Sequence, residues 1–354
     1  HYGSYPRIGD AQAQQRLRQA YESAQRGEIK DKDLLRAQQE AVRAALDEQT
    51  KAGLDVVSDG MIRWYDTVSH IMGQLKGVSI NGLLRYFDTN TYFRQPHVTG
   101  ALAAKGPLLA EDLKWARAVS SKPVIAYLPG PLTLANLSLI KGASYADTGQ
   151  LMNALVPILA DEVERLAQAG ADAIVVDEPY LLRKPAGFSE LADALEVLAA
   201  RKGAIRMWLF PSFGNAAPLY DKLQRLTVDG LILDFTYGKE LGDVVASAGS
   251  QLLLGLGLVD ARNTKLESPA RVAKEAARLL KKARGGLAGL VPSNGLEYLP
   301  RTRAAEKLAV LAKARDLLNG TSRSGRRPVK AKRAAPKRRA AKAGRKPARG
   351  RGKR

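Results

Sequence analysis

A (β/α)8 barrel followed by a disordered basic tail is the fold class that this sequence predicts. Three observations lead there. Eight short runs rich in β-branched residues or Leu recur along residues 1–320, longer amphipathic stretches separate them, and the last 34 residues are low-complexity and basic. Alternation of short apolar runs with helical patterns marks repeated βα units around a parallel sheet, and eight such strands suggest a closed barrel. The chain has 354 residues and is 45% hydrophobic, enough to bury a large core.

The predicted strands are His1–Ser4, Asp55–Ser58, Val124–Tyr127, Ala173–Asp177, Arg206–Phe210, Gly230–Asp234, Leu252–Leu256 and Leu287–Val291. Helical periodicity covers Lys32–Ala52, Tyr145–Ala169, Ser189–Ala200, Ser268–Ala283 and Arg301–Leu318. The steps "KAGLD" at Lys51–Asp55 and "AGAD" before Ala173 supply the Gly that stops a helix and turns the chain into the next strand. Gly77–Ala101 has aromatics and turn residues but no helical period. It reads as a lid or hairpin inserted at the barrel mouth, and long insertions there shape sites.

Barrels of this class carry chemistry at the C-terminal ends of their strands. Polar residues gather at those ends: Ser4, Asp59, Asp177 with Glu178, Asp234, Asp260 with Arg262, and Asn294. Singly, each also suits a helix N-cap or a loop. Asp177, Asp234 and Arg262 belong to different strands of one mouth and offer a proton-transfer group and an electrostatic clamp without metal. They are the catalytic candidates. Arg262 suits a carboxylate or phosphate, and equally a salt bridge to Asp260 or Asp234. His70 and His97 fit core or surface positions as well as a site.

Cysteine is absent, which excludes disulfides, thiolate nucleophiles, iron–sulfur clusters and every zinc site with a Cys ligand. No apolar run approaches the 18 or so residues a membrane span needs, and the N-terminus lacks the features of a signal peptide. A cytoplasmic location without membrane association is expected, and the start at His1 suggests that residues precede it. The net charge of +21 is concentrated in the tail: of 56 Lys and Arg, 16 lie in residues 321–354 with no acidic residue among them, leaving 40 against 35 Asp and Glu, or +5, in the first 320. The domain division is therefore 1–320 for the barrel and 321–354 for a tail that has almost nothing large and apolar to bury. Such a tail is expected to bind nucleic acid or another polyanion non-specifically.

Several strand-end motifs resemble one family. "GSYPRIG" at Gly3–Gly9, "SDGMIRWYDTV" at Ser58–Val68, "LPGPLTL" at Leu128–Leu134, "VVDEPYL" at Val175–Leu181 and "VPSNGLEYLPRTRAAEKL" at Val291–Leu308 are similar to the catalytic barrel of cobalamin-independent methionine synthase, including its short archaeal form. The likeness spans residues 1–315. It implies a barrel and transfer of a methyl group from a methylated folate, or in archaeal forms another donor, to homocysteine held as a thiolate on zinc.

The same resemblance places the family's metal ligands on Met207, Leu209, Asp234 and Asn294, which do not make a zinc site. Its amine-contacting Glu falls on Met61, the neighbouring Arg on Trp64 and a His on Arg262. Ser4, Asp66, Asp177 and Glu178 match, so Ser4, Asp66, Glu178 and Asn294 are the substrate-binding candidates. No metal or tightly held cofactor is expected, and a methylated folate is the implied co-substrate. The leading reading is a divergent methyltransferase-like enzyme acting on a small amino-acid-like molecule without zinc. A non-catalytic small-molecule-binding barrel, and a nucleic-acid-associated protein working through its tail, are the alternatives.

Overall fold

A computed structural model describes residues 1–324 apart from 8, 10, 11, 88 and 284–287. Two strands of an antiparallel hairpin come first, β1 (Leu75–Arg85) and β2 (Tyr92–Ala104), followed by β3 (Ala126–Pro129), the two-residue β4 (Leu139–Ile140), β5 (Ala173–Asp177), β6 (Arg206–Phe210), β7 (Gly230–Asp234), β8 (Leu253–Val259) and β9 (Ala288–Pro292). Six of them form one parallel sheet in the order β3-β5-β6-β7-β8-β9. Helices lie between successive strands, among them Thr148–Gln168, Phe188–Arg201 and Pro269–Leu280. No described helix is long and apolar enough to cross a membrane.

Two of the eight expected strands do not form ladders. Residues 1–5 and 55–58 instead close the ring as short extended segments with few bonds. Val57 bridges Val124, while the His1 amine donates to Val56 O at 3.0 Å and Tyr5 N to Gly60 O at 2.8 Å. On the other side Leu296 N donates to Ser4 O at 2.8 Å and the Tyr2 hydroxyl to Pro292 O at 3.1 Å. The composition accounts for this. Gly3 lies within the first segment and Pro6 follows it directly, and Pro has no N–H to give a ladder. The second ends at Ser58–Asp59–Gly60, where the Asp59 carboxylate turns the chain by accepting Met61 N at 2.9 Å. Of the last expected strand, Leu287 lies outside the described residues and Ala288–Val291 is found as expected.

Alternation sorts the strand residues into two layers. Ile174, Val176, Met207, Leu209, Leu231, Leu233, Leu254 and Leu256 join the main core with the helices. Val175, Trp208, Phe210 and Ile232 face inward and meet Tyr2, Tyr127 and Val291. Gly230 makes room for the indole of Trp208, since a Cβ there would lie 2.4 Å from the ring.

The expected lid is the β1–β2 hairpin. Its root is fixed by Asp66, which caps the helix Thr67–Met72 through Val68 N (3.0 Å) and Ser69 N (2.6 Å) and accepts Arg94 N from β2 at 3.1 Å. At its tip Phe87 stacks on Phe213 of the loop after β6, with ring centroids 5.4 Å apart and planes 4° from parallel. Tyr86 meets Phe213 edge-on at 5.6 Å. Phe87 and Phe213 both occupy the left-handed region, at φ 49° and 56°, a strain that persists only where surrounding contacts fix the geometry. The hairpin is thus pinned at both ends across the mouth. The final helix runs Arg301–Ser324, so residues 321–324 of the tail expected to be disordered are helical, and the rest of that tail, residues 325–354, lies outside the described residues.

Phe87→Ala should loosen this tip while leaving the barrel folded. A loss of about 2 kcal/mol is expected, below the cost of emptying a fully buried Phe site, and amide exchange should accelerate across residues 75–104 but not in β5 or β6. Unchanged hairpin protection would contradict the docking described above.

Candidate active site

The mouth contains a cleft of about 90 Å³ between the N-terminal segment, the loop 59–67, the hairpin and residues 297–298. A tighter lobe of about 10 Å³ shares Ser4, Met61, Thr67, Tyr86, Glu297 and Tyr298 with it and reaches Tyr2, Tyr127, Phe213 and Asn294. Three of the seven expected site residues line this space: Ser4, Asp66 and Asn294. Asp177, Glu178, Asp234 and Arg262 do not.

Asp177 closes β5 just behind the cleft wall. It is buried, accepts the Ser212 hydroxyl at 2.6 Å and also accepts the Tyr127 hydroxyl, so the cleft reaches it through Tyr127. Burial raises its pKa to about 7, against the opposing hydrogen bonds of Ser212 and Tyr127. Glu178 serves the fold locally. Its carboxylate accepts Leu132 N (2.9 Å), Thr133 N (2.8 Å) and Thr133 Oγ1 (2.5 Å) at the start of the helix Pro131–Leu137. Burial nevertheless pushes its pKa up to about 8.

Asp234 ends β7 and is buried with its Oδ1 on Thr236 N (2.7 Å) and Thr236 Oγ1 (2.6 Å). Arg262 pairs with Oδ2 at 3.3 Å and lies over the Tyr237 ring. Burial raises the Asp234 pKa to about 6, and the guanidinium opposes it. The salt-bridge reading of Arg262 therefore holds. β6 separates Asp177 from Asp234, and its Phe210 ring sits 5.0 Å from Tyr2. Charges of Asp177, Asp234 and Glu297 all act on the buried Tyr2 hydroxyl and add to the burial that raises its pKa.

The assignment of metal-ligand positions on β6 needs correction. Met207 and Leu209 face the helical layer, because side chains alternate along a strand, and the positions turned into the barrel are Trp208 and Phe210. Neither ring ligates zinc. With Asp234 held by Arg262, and Asn294 Oδ1 accepting Gly295 N at 2.9 Å, the inward donor set does not fit a zinc ion. Among the described residues no group of three or more His, Asp or Glu is placed to hold a metal. Asn294 Nδ2 is buried and has no hydrogen-bond partner.

Sequence reasoning missed Glu297. It lines both lobes, its Oε2 is enclosed without a partner, and burial raises its pKa to about 7 while its own N–H, Tyr298 and Arg7 oppose the shift. Its only sequence signal was its place three residues after Asn294, in the loop that follows β9. His70, stacked on Trp64 at 4.5 Å, belongs to the wall behind the cleft, where burial lowers its pKa to about 4.

A family model described as cobalamin-independent synthase, catalytic domain, matches residues 2–316. The methionine synthase of Sulfurisphaera tokodaii is 29% identical over 315 residues, spanning 88% of this chain and 89% of that protein. The methionine synthase of Pyrococcus horikoshii is 28% identical over 320 residues, spanning 89% and 91%. In three dimensions the B12-independent methionine synthase of a Shewanella species, solved with selenomethionine, superposes with a TM-score of 0.72 at 21% identity over 84% of this chain and 92% of its own. A putative B12-independent methionine synthase from Listeria monocytogenes gives 0.70 at 19% identity, over 90% and 96%. Both share the barrel fold.

The folded pKa of Asp177, about 7, lies above its ordinary value of 3.8, so the folded state holds this proton more tightly than the unfolded one. The stability tied to that proton is complete below about pH 4 and is lost as pH rises through 7. Asp177→Asn should therefore melt close to wild type at pH 4 and gain on it steadily up to pH 8 in calorimetric scans. A difference that is flat with pH, or reversed, would contradict the buried, protonated carboxyl.

Proposed function

Because the chain belongs to the cobalamin-independent methionine synthase family, we propose that it is a methyltransferase acting at the barrel mouth on a small amino-acid-like molecule, with a methylated folate as co-substrate and without zinc. The observation that carries the zinc-free reading is the parity of β6, which turns Trp208 and Phe210 into the barrel. The cleft supports the rest: it opens at the barrel mouth and is lined by Ser4 and Asn294.

Methyl transfer to a thiol requires the acceptor to lose its proton. A thiol of pKa near 8.5 is only a few per cent ionised at neutral pH, so a group on the protein must accept that proton in place of metal activation. A carboxyl poised near pH 7 is suited to this. In this reading the thiol proton passes to the Tyr127 oxygen as the Tyr127 proton passes to the ionised Asp177 carboxylate; the sulfur then forms its bond to the methyl group as the bond from that carbon to folate N5 breaks, and N5 takes up a proton to leave as tetrahydrofolate. Asp177 thus acts through Tyr127. Asp234 and Arg262, which do not line the cleft, pair with each other on the far side of β6 and fix that side of the mouth. Ser4 and the free Asn294 Nδ2 contact the substrate, while Asp66 and Glu178, whose oxygens are bonded within the protein, hold the hairpin and a helix N-terminus in position.

A barrel that binds such a ligand without turning it over is the second reading, favoured by the same loss of metal donors. The Cys-free sequence accords with a cytoplasmic setting for either. For residues 321–354 we assign non-specific polyanion binding, supported by 16 Lys or Arg without an acidic or aromatic residue.

Two measurements test these assignments. Purified protein should carry far less than one zinc per chain by elemental analysis, and methionine and homocysteine should raise its melting temperature with or without chelator. One chelatable zinc per chain whose removal abolishes ligand stabilisation would refute the zinc-free reading. For the tail, DNA affinity in gel-shift titrations should fall steeply between low and physiological salt and vanish in a chain ending at Gly320, whereas equal affinity of the two chains would refute it.

A further inference from the structure

The carboxyls around the mouth differ in what their oxygens already hold. Asp66 accepts four donors from the helix Thr67–Met72 and β2. Glu178 accepts three, Asp177 two hydroxyls, and Asp234 has Thr236 and Arg262. Asp234 Oδ2 and Glu297 Oε2 are both buried without a hydrogen-bond partner, but Asp234 faces Arg262 and does not line the cleft, whereas Glu297 lines both of its lobes. An acceptor left bare in a desolvated place is costly unless a ligand supplies a donor.

Its surroundings narrow the kind of donor. Gly295 carries no side chain just where Ser4 Oγ and Glu297 Oε2 converge, since a Cβ there would lie 2.1 and 2.3 Å from them. The two oxygens thereby lie side by side against Gly295 in the wall of the cleft. Tyr86, Tyr298 and Trp64 also line the space; the Tyr298 hydroxyl interacts with the Glu297 carboxylate, and aromatic rings favour a neighbouring cation. The cation at the rim, Arg7, is committed to the carbonyls of Trp64 and Tyr65, so it leaves Oε2 unbonded.

We propose that Glu297, with Ser4 Oγ beside it, is the group that recognises the ammonium of an amino-acid substrate. The assignment rests on the reading of the cleft as an amino-acid site and names the residue that selects for a free amine. The ammonium would donate to Oε2 as a charge-assisted hydrogen bond. Since burial holds the empty carboxyl at a pKa of about 7, binding below that pH must expel its proton, and affinity must rise between pH 6 and 8.

The test uses the full chain with methionine and N-acetylmethionine as probes in isothermal titration calorimetry. Wild type should bind methionine at least 10-fold more tightly than N-acetylmethionine, releasing a proton at pH 6.5 as read from buffers of different ionisation heat. Glu297→Gln should lose that preference while binding N-acetylmethionine as wild type does, and Ser4→Ala should lose a smaller part of it. Unchanged methionine affinity in Glu297→Gln, with wild type binding normally, overturns the role of Glu297 and leaves the cleft reading intact. If wild type binds neither probe, both fall. Should Glu297→Gln not fold, a methionine affinity in wild type that stays flat between pH 6 and 8 overturns the proposal.

Discussion

A parallel strand turns only alternate side chains into its barrel, and on β6 those are Trp208 and Phe210. Much of the mouth follows from that parity. The indole occupies the space above Gly230, where a Cβ would clash, and the Phe210 ring meets Tyr2. With the centre filled by rings, open volume is displaced toward the N-terminal segment, the loop 59–67 and the hairpin. Asp177 and Asp234, at the ends of the strands flanking β6, are kept apart and each settles into its own set of hydrogen bonds.

Burial then sets the chemistry of the acids. Asp177, Glu178, Asp234 and Glu297 all have pKa values raised by desolvation, to between about 6 and 8. Hydroxyl and amide donors oppose the shift without cancelling it. Groups that exchange protons near neutrality beside an open cleft are a common property of active sites. The pinned hairpin adds to this by covering the site with Tyr86 and the Phe87–Phe213 stack. Its strained tip residues are a local cost that the aromatic contacts offset.

Much of this was legible in the sequence because periodicity reports local structure. Strands β5, β6 and β7 lie where their apolar runs end, and the hairpin occupies the stretch without helical period. Residues 1–5 and 55–58 read as strands because their composition is extended and apolar, but ladders require hydrogen-bonding partners in register, which Pro6 and the Asp59 turn prevent. The ligand positions on β6 were misplaced by one residue, since a motif match carries no information about which face a side chain takes. Ser4 and Asn294 were legible as strand-end polar residues that line the cleft. Glu297 was not, because its distinction is an unpartnered oxygen, created by distant segments meeting over Gly295.

In the function proposed above, methyl transfer proceeds on protein side chains alone. The most direct measurement is transfer of an isotopically labelled methyl group from 5-methyltetrahydrofolate to homocysteine by chelator-treated protein, followed with and without added zinc. Labelled methionine formed at the same rate in both samples is the predicted result. Product that appears only when zinc is restored, or no product in either sample, would contradict the account.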